Sequence, residues 1–256
     1  VRKTTGDYAL TAIAYDADGT EVDVSGTVTV TIYDSADSVV DTGTPTLSSG
    51  RLTYSVANAD LTNLDTYRCV WTGTVETTAY TWETYFELVG GYYFEISELR
   101  AGDGMTSLTN TTTYPTATLE AKRASVERTI ESAAGVAFVP RGNRYTTLVR
   151  SDDVITLPHV RIREIYSVTV DGTALTATEL ADLTLDKRHG RIWDGTWVAE
   201  DEVVVWYEHG YDAVPEPIKE GALALAIERT VASGLPARAT GVSTEVGYMR
   251  YTLADG

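Results

Sequence analysis

Cysteine is nearly absent from this chain: Cys69 is the single one in 256 residues. That excludes an intrachain disulfide framework and fits assembly in a reducing cytoplasm. Histidine is scarce too, with only three, His159, His189 and His209, which leaves few candidates for acid–base or zinc chemistry. No apolar run approaches the roughly 18–20 residues that span a bilayer. The opening VRKTTGDYAL has no apolar core of the secretory kind, so nothing in it directs export; beginning on Val1, it implies a removed initiator Met or missing upstream residues. Positive charge is in deficit, with 20 Lys and Arg against 37 Asp and Glu, a net charge of -17. Such a chain repels a phosphate backbone, so sequence-specific nucleic-acid binding is disfavoured. A negative surface past which DNA slides remains allowed. What is present is ample for folding. Hydrophobic residues make up 43% and charged residues 22%, and the length allows two ordinary domains with buried cores.

The acidity is shared by both halves, and residues 1–90 hold 4 basic and 13 acidic groups. The exception is the window from Lys122 to Arg163, with Lys122, Arg123, Arg128, Arg141, Arg144, Arg150, Arg161 and Arg163. This is either a solvated mixed surface or a docking face for an acidic protein partner, since complementary charge steers association and sets register. On the second reading Arg123, Arg128, Arg141 and Arg144 are the candidate contacts.

Residues 1–90 are expected to form one domain. From Asp7 to Leu88 short alternating runs are broken by turn residues such as Asp18-Gly19, Gly43, Ser49-Gly50 and Asn58, a pattern of strands without helical periodicity. The predicted strands are Tyr8–Tyr15, Val28–Tyr33, Arg51–Val56, Thr66–Thr72 and Tyr80–Leu88. In GTVTVTIYD, Val28, Val30 and Ile32 face one side and Thr27, Thr29 and Thr31 the other, as an antiparallel sandwich requires. The run Asp65-Thr-Tyr67-Arg-Cys69 resembles the D-x-Y-x-C segment on strand F of immunoglobulin domains, where the Tyr makes a corner hydrogen bond. Tyr67, Cys69 and Trp71 would point together into the core. Ala12 and Ala14 stand on the facing strand where a partner Cys would be, so Cys69 reads as a core thiol.

Gly90-Gly91 is the expected hinge into a second, α+β domain, residues 91–256, with a reaching segment at 235–256. After a short helix at Ile96–Leu99 and a Thr- and Asn-rich loop at Ser107–Thr113, a helix lies in YPTATLEAKRASVERTIESAAG. Its narrow apolar stripe is Leu119, Val126, Ile130 and Ala133, and Gly135 is its C-cap. The insert that follows reads as a compact antiparallel sheet, with a hairpin turn at Asp171-Gly172 and Trp193, Trp197 and Trp206 packing its core or rim. The second helix, IKEGALALAIERTVASG, carries Ile218, Ala222, Leu223, Leu225, Ala226, Ile227 and Val231 around most of its circumference. A helix so apolar must be covered on more than one side, by its own domain or by a neighbouring subunit.

No catalytic set emerges. Glu208 and Asp212 flank His209 in YEHGYD and could orient its imidazole, but no nucleophile elbow or recurring metal-ligand spacing accompanies it. His189 in KRHGR reads as a turn residue. Asp16, Asp18, Glu21 and Asp23 around Gly19 resemble a calcium loop without meeting its spacing; a hairpin turn explains them. Asn110-Thr111-Thr112 is a chance match to a glycosylation acceptor. The expectation is a non-enzyme with no metal or cofactor.

The segments VRIREIYSVTVDGT, YEHGYD followed by Pro215, Pro217 and an Ala-rich helix, and ARATGVSTEVG, in that order, resemble head-to-tail adaptor (connector) proteins of long-tailed bacteriophages, chiefly those infecting actinobacteria. The resemblance covers about Tyr92 to the C-terminus. It implies a virion protein of the neck, assembled in the host bacterial cytoplasm as a homo-oligomeric, typically twelvefold ring. The ring would join the portal to the next tail-side ring, a stopper or tail terminator, with DNA passing through and no membrane contact. Mapped here, Pro236–Tyr251 is the reaching segment, with Arg238 and Arg250 as charge anchors and Pro236, Thr240, Val242, Thr244, Val246 and Tyr248 along an extended strand able to add to a partner's sheet edge. The alternative is a tail-tip or adhesin-type protein whose sandwich grips host carbohydrate through Tyr80, Trp82, Tyr85, Tyr92 and Tyr93.

Overall fold

The computed structural model describes residues 6–15, 20–22, 24–48, 51–75, 78–102, 108–150, 154–195, 197–231, 239–245 and 248–253. The chain is mostly β, in several antiparallel sheets, with helices α1 (Ile96–Gly102), α2 (Thr116–Ala134), α3 (Ala177–Asp182) and α4 (Glu216–Val231). It divides into two compact units, Val1–Tyr92 with Val136–Ala213, and Tyr93–Gly135 with Val214–Gly256.

The first unit begins with a sandwich. Strands β1 (Tyr8–Tyr15), β2 (Glu21–Val22), β5 (Thr46–Ser48) and β6 (Arg51–Val56) form one sheet in the order β2-β1-β6-β5. Strands β3 (Val24–Tyr33), β4 (Val39–Gly43), β7 (Thr66–Val75) and β8 (Thr78–Glu87) form the other, in the order β4-β3-β7-β8. Alternation decides which side chains are buried. Leu10, Ala12 and Ala14 from β1 share one core with Leu52 and Val56 from β6, Val28, Val30 and Ile32 from β3, and Tyr67, Cys69 and Trp71 from β7. Strands β4 and β5 were not predicted, because VVDTG and TLS sit at sheet edges, largely exposed, and so lack the apolar alternation that marks a half-buried strand. The Tyr67 hydroxyl donates to the Asn63 carbonyl at 2.8 Å, the corner bond expected from D-x-Y-x-C. Burial pushes the Cys69 thiol up to about 11.

The same unit continues after Val136. Strands β9 (Arg141–Leu148), β11 (Ile162–Val170), β12 (Thr173–Ala174) and β15 (Glu202–His209) make a sheet in the order β12-β11-β15-β9. Strands β10 (Val154–Thr156), β13 (Thr184–Asp186) and β14 (Arg191–Trp193) make a second, with β14 central. Val168, Val203, Val205 and Tyr207 from the first sheet pack with Ile155 and Ile192 from the second, and with Trp197. Between the two sheets in sequence, α3 starts with a full capping box, Thr176 bonding the Glu179 amide and Glu179 returning to the Thr176 amide.

Sandwich and inserted sheets meet at the corner before β7. The Leu64 carbonyl abuts Gly142 so closely that a Cβ there would lie 1.6 Å from it. Beside this contact Asp65, 1% exposed, accepts from the Ser35 amide and hydroxyl at 3.0 and 2.8 Å and from the Thr66 amide at 2.8 Å. Arg144 donates from Nε to Ser35 Oγ at 3.1 Å, and its guanidinium lies 4.8 Å from the centre of the Trp206 ring. Desolvation nevertheless raises the Asp65 pKa, outweighing the bonds from Ser35 and Thr66 and the Arg144 charge, which pull it down. The Gly90-Gly91 pair, expected to be a hinge, is held in this unit: the Gly90 amide donates to the Pro140 carbonyl at 2.9 Å, and Val89 bridges Arg141.

In the second unit α2 packs along α4, and α1 touches both. Gly135 closes α2 in the left-handed conformation, φ 65°, its amide bonding the Glu131 carbonyl, as predicted. Leu119 and Val126 are buried as expected, but Ala133 is exposed, and Arg123 and Glu127, which are not in the apolar stripe, are buried. Glu127 accepts the Tyr93 amide at 2.8 Å and Arg123 donates to the Phe94 carbonyl at 3.3 Å. A buried charge is tolerated when hydrogen bonds replace its hydration. Arg100 ties the Thr-rich loop by donating to the carbonyls of Leu108 and Tyr114.

Gly142→Ala tests the junction. The added methyl meets backbone that cannot rotate away, so the urea midpoint should fall by the equivalent of about 3 kcal/mol; a loss within experimental error would show that the corner seat is dispensable.

Candidate functional site

Four places could carry function: the arginine set, the histidine region, the C-terminal strands and α4. The arginines do not form one docking face. Arg123 is buried on α2. Arg141 donates to Glu87 at 2.8 Å, and Arg144 is committed to Ser35 and Trp206. Arg123 is buried and thereby removed from any docking face, while Arg141 and Arg144 are half-buried and make internal ties. Arg128 alone of the four is exposed.

His209 does not meet the carboxylates that flank it in sequence. Alternation along β15 turns His209 inward and Glu208 to the opposite face, where Glu208 and Asp212 both pair with Arg163 and Tyr166 donates to Glu208. Instead His209 stacks on His159, ring centres 3.8 Å apart and planes 5° from parallel. His159 Nδ1 lies 2.8 Å from the Tyr207 hydroxyl, which also accepts from Asn143 Nδ2 at 3.0 Å. Which of the His159–Tyr207 pair donates depends on the His159 tautomer, and burial favours the neutral form of both imidazoles. Desolvation, then His159 and Arg141, pushes His209 down to about 3; desolvation lowers His159 as well. No nucleophile joins this cluster, and no group of three or more His, Cys, Asp or Glu suited to a metal occurs among the described residues. Asp16, Asp18 and Asp23 of the calcium-like loop lie outside them.

The reaching segment lies partly outside the described residues, which exclude Pro236, Arg238 and Val246. Its remainder forms a hairpin rather than one extended strand. Strand β16 (Ala239–Glu245) contains Thr240, Val242 and Thr244, and β17 (Tyr248–Leu253) contains Tyr248 and Arg250; Ser243 stands opposite Arg250 and Glu245 opposite Tyr248. The two strands make a two-stranded sheet of their own. Of the aromatic set of the carbohydrate reading, Tyr80 and Trp82 lie together, ring centres 5.8 Å apart. Tyr93 is buried, Trp82 packs on the sandwich core, and Tyr80 and Tyr85 alternate onto opposite faces of β8.

Helix α4 combines a buried row of small residues with bulkier apolar flanks. Ala222, Ala226 and Thr230, spaced four apart, are its buried row. Ile218, Leu223, Leu225 and Ile227 remain only half-buried. The small buried row lets α2 approach closely, and the bulkier residues flank that seam. No described helix is long and apolar enough to cross a membrane.

The histidine stack gives a pH test. Its folded pKa values lie below the unfolded 6.5, so its contribution is complete above 6.5 and declines as pH falls toward 3. Between pH 6.5 and 5, His209 alone should cost about 1.5 kcal/mol. His209→Phe should flatten that decline in urea midpoints, and an unchanged slope would remove the stack as its source.

No known family's sequence profile matches this chain, and no curated protein does. Seven chains of solved structures match significantly. One comes from the neck of an empty GTA particle computed with C6 symmetry, with 19% identity over 53% of this chain and 76% of that one, at a TM-score of 0.43. A TM-score below 0.5 does not define a common fold, and the functional reading of this chain stands on its own residues.

Proposed function

We propose that this chain is a structural component of a phage-type virion neck, a head-to-tail adaptor that assembles as a ring between portal and tail. The observation that carries the reading is α4: Ile218, Leu223, Leu225 and Ile227 stay half-buried beside the Ala222-Ala226-Thr230 seam. Apolar flanks of this kind are covered when copies or partners assemble. The residue resemblance to connector proteins supplies the kind of assembly, twelvefold in this reading. It spans about Tyr92 onward and so crosses both compact units. The sandwich is read as immunoglobulin-like, on the β1-β6-β5 and β4-β3-β7-β8 strand orders and the Tyr67 corner bond. The C-terminal segment is the reach toward the portal, and β16 with β17 offers a hairpin whose free edges can take a partner strand. A net charge of -17 suits a bore that DNA crosses without sticking.

Two experiments test this. In a phage carrying this protein, its removal should leave DNA-filled or leaking heads with no tails; tailed, infectious particles would refute the assignment. Leu225→Glu, on the half-buried flank, should leave the far-UV spectrum and melting temperature nearly unchanged. It should also abolish sedimentation as an oligomer, and persistence of the full assembly would detach α4 from it.

A further inference from the structure

We propose that copies of this chain join head to tail through opposite ends of the inserted sheets, a basic end of one copy seating on an acidic end of the next; this rests on the ring reading above. The strand register defines the two ends. Ile162 and Arg141 stand opposite His209 at one end of the β11-β15-β9 ladder, and Leu148 stands opposite Glu202 at the other. Eight residues of β15 separate the ends by about 23 Å, at roughly 3.3 Å per residue.

The turn after β13 belongs to the first end. The Leu157 amide bonds the Gly190 carbonyl, and the Ile162 amide bonds the Lys187 carbonyl at 2.8 Å. Arg161, Lys187, Arg188 and Arg191 are exposed there. Of the acids nearest them, Asp186 holds His189, Glu208 and Asp212 hold Arg163, and Glu87 holds Arg141, while Glu164, opposite Glu208, is exposed. Arg161 lies over the Tyr211 ring and Lys187 donates to the Arg163 carbonyl, yet all four cations stay exposed and outnumber Glu164, in a chain whose net charge is -17.

The second end has the opposite sign. The Asp171 amide bonds the Glu202 carbonyl, and the Glu202 amide returns to Asp171 Oδ1 at 2.8 Å. Val149 is tied to Asp201 and Glu200 through their backbones. Asp171, Glu200 and Glu202 are exposed there, with Asp201 half-buried and Arg150 as the cation among them. Leu148 and Val198 stand in their midst, 59% and 64% exposed, and Val160 is exposed at the basic end. Each copy therefore carries both halves of a charged rim around an apolar patch.

The sign pattern selects a second copy as occupant. Four cations on so acidic a chain make a poor phosphate track, since the wider field repels the backbone. A matching anionic surface is present once on every copy. A contact between two unlike patches is heterologous, and it closes into a ring or runs on as a filament according to its rotation. Complementary charge then fixes the register.

The test uses two full-length variants made by charge reversal. In Lys187→Glu/Arg188→Glu/Arg191→Glu both ends are acidic; in Glu200→Lys/Glu202→Lys the acidic end turns basic. Circular dichroism and thermal melts check folding, and sedimentation at about 0.1 M salt, where screening extends about 10 Å, reads assembly. Each variant alone should need at least about tenfold more protein to assemble than the wild type, equivalent to about 1.4 kcal/mol. An equimolar mixture should recover assembly, because unlike ends then alternate. Folded variants that assemble at the wild-type concentration, or a mixture that fails to recover, would overturn the end-to-end contact and leave the ring reading standing. A wild type that stays monomeric at every concentration would instead overturn the ring reading.

Discussion

The seat of the Leu64–Asp65 corner on Gly142 is the constraint from which the first unit takes its form. Backbone meets backbone there with no room for a side chain, and a carboxylate buried to 1% exposure sits beside the contact. Burying that carboxylate is unfavourable alone and becomes tolerable because Ser35 and Thr66 surround it with donors while Arg144 supplies countercharge. The same Arg144 lies over Trp206, its cross-strand neighbour on β15, so one guanidinium links the sandwich loop at Ser35 to the inserted sheet. With the Arg141–Glu87 pair and the Gly90–Pro140 bond, the sandwich is built into the inserted sheets.

That arrangement also bears on the basic window. Guanidinium groups counted along the sequence looked like one outward face, yet Arg123, Arg141 and Arg144 are internal fasteners. The exposed cations at one end of the inserted sheets come from separate places in the chain, Arg161, the turn with Lys187 and Arg188, and Arg191 at the start of β14. Only strand pairing brings them to one end.

Much of the fold was legible because period-2 alternation is a local signal. Tyr8–Tyr15 and Arg51–Val56 match the observed strands to the residue, and Tyr67 announced its own hydrogen bond four residues back. Helix α2 with its Gly135 cap was equally plain. The edge strands β4 and β5 were not, since an exposed edge needs no apolar alternation. Nor was Gly142, whose reason for being glycine is the carbonyl of Leu64, 78 residues away in sequence and invisible to any local pattern. His209 looked ready for Glu208 and Asp212, but neighbours along a strand point apart, and the partner it found was His159. The resemblance to connector proteins drew on the order of segments, which says which pieces occur and not which side chains remain uncovered.

The Cys69 thiol carries one further implication. It is the sole sulfhydryl in the chain, sealed between the two sandwich sheets and held largely protonated at neutral pH. Alkylating reagents attack thiolates they can reach, so labelling has to wait until the sandwich parts. The rate of uptake is then a built-in clock for opening of that domain.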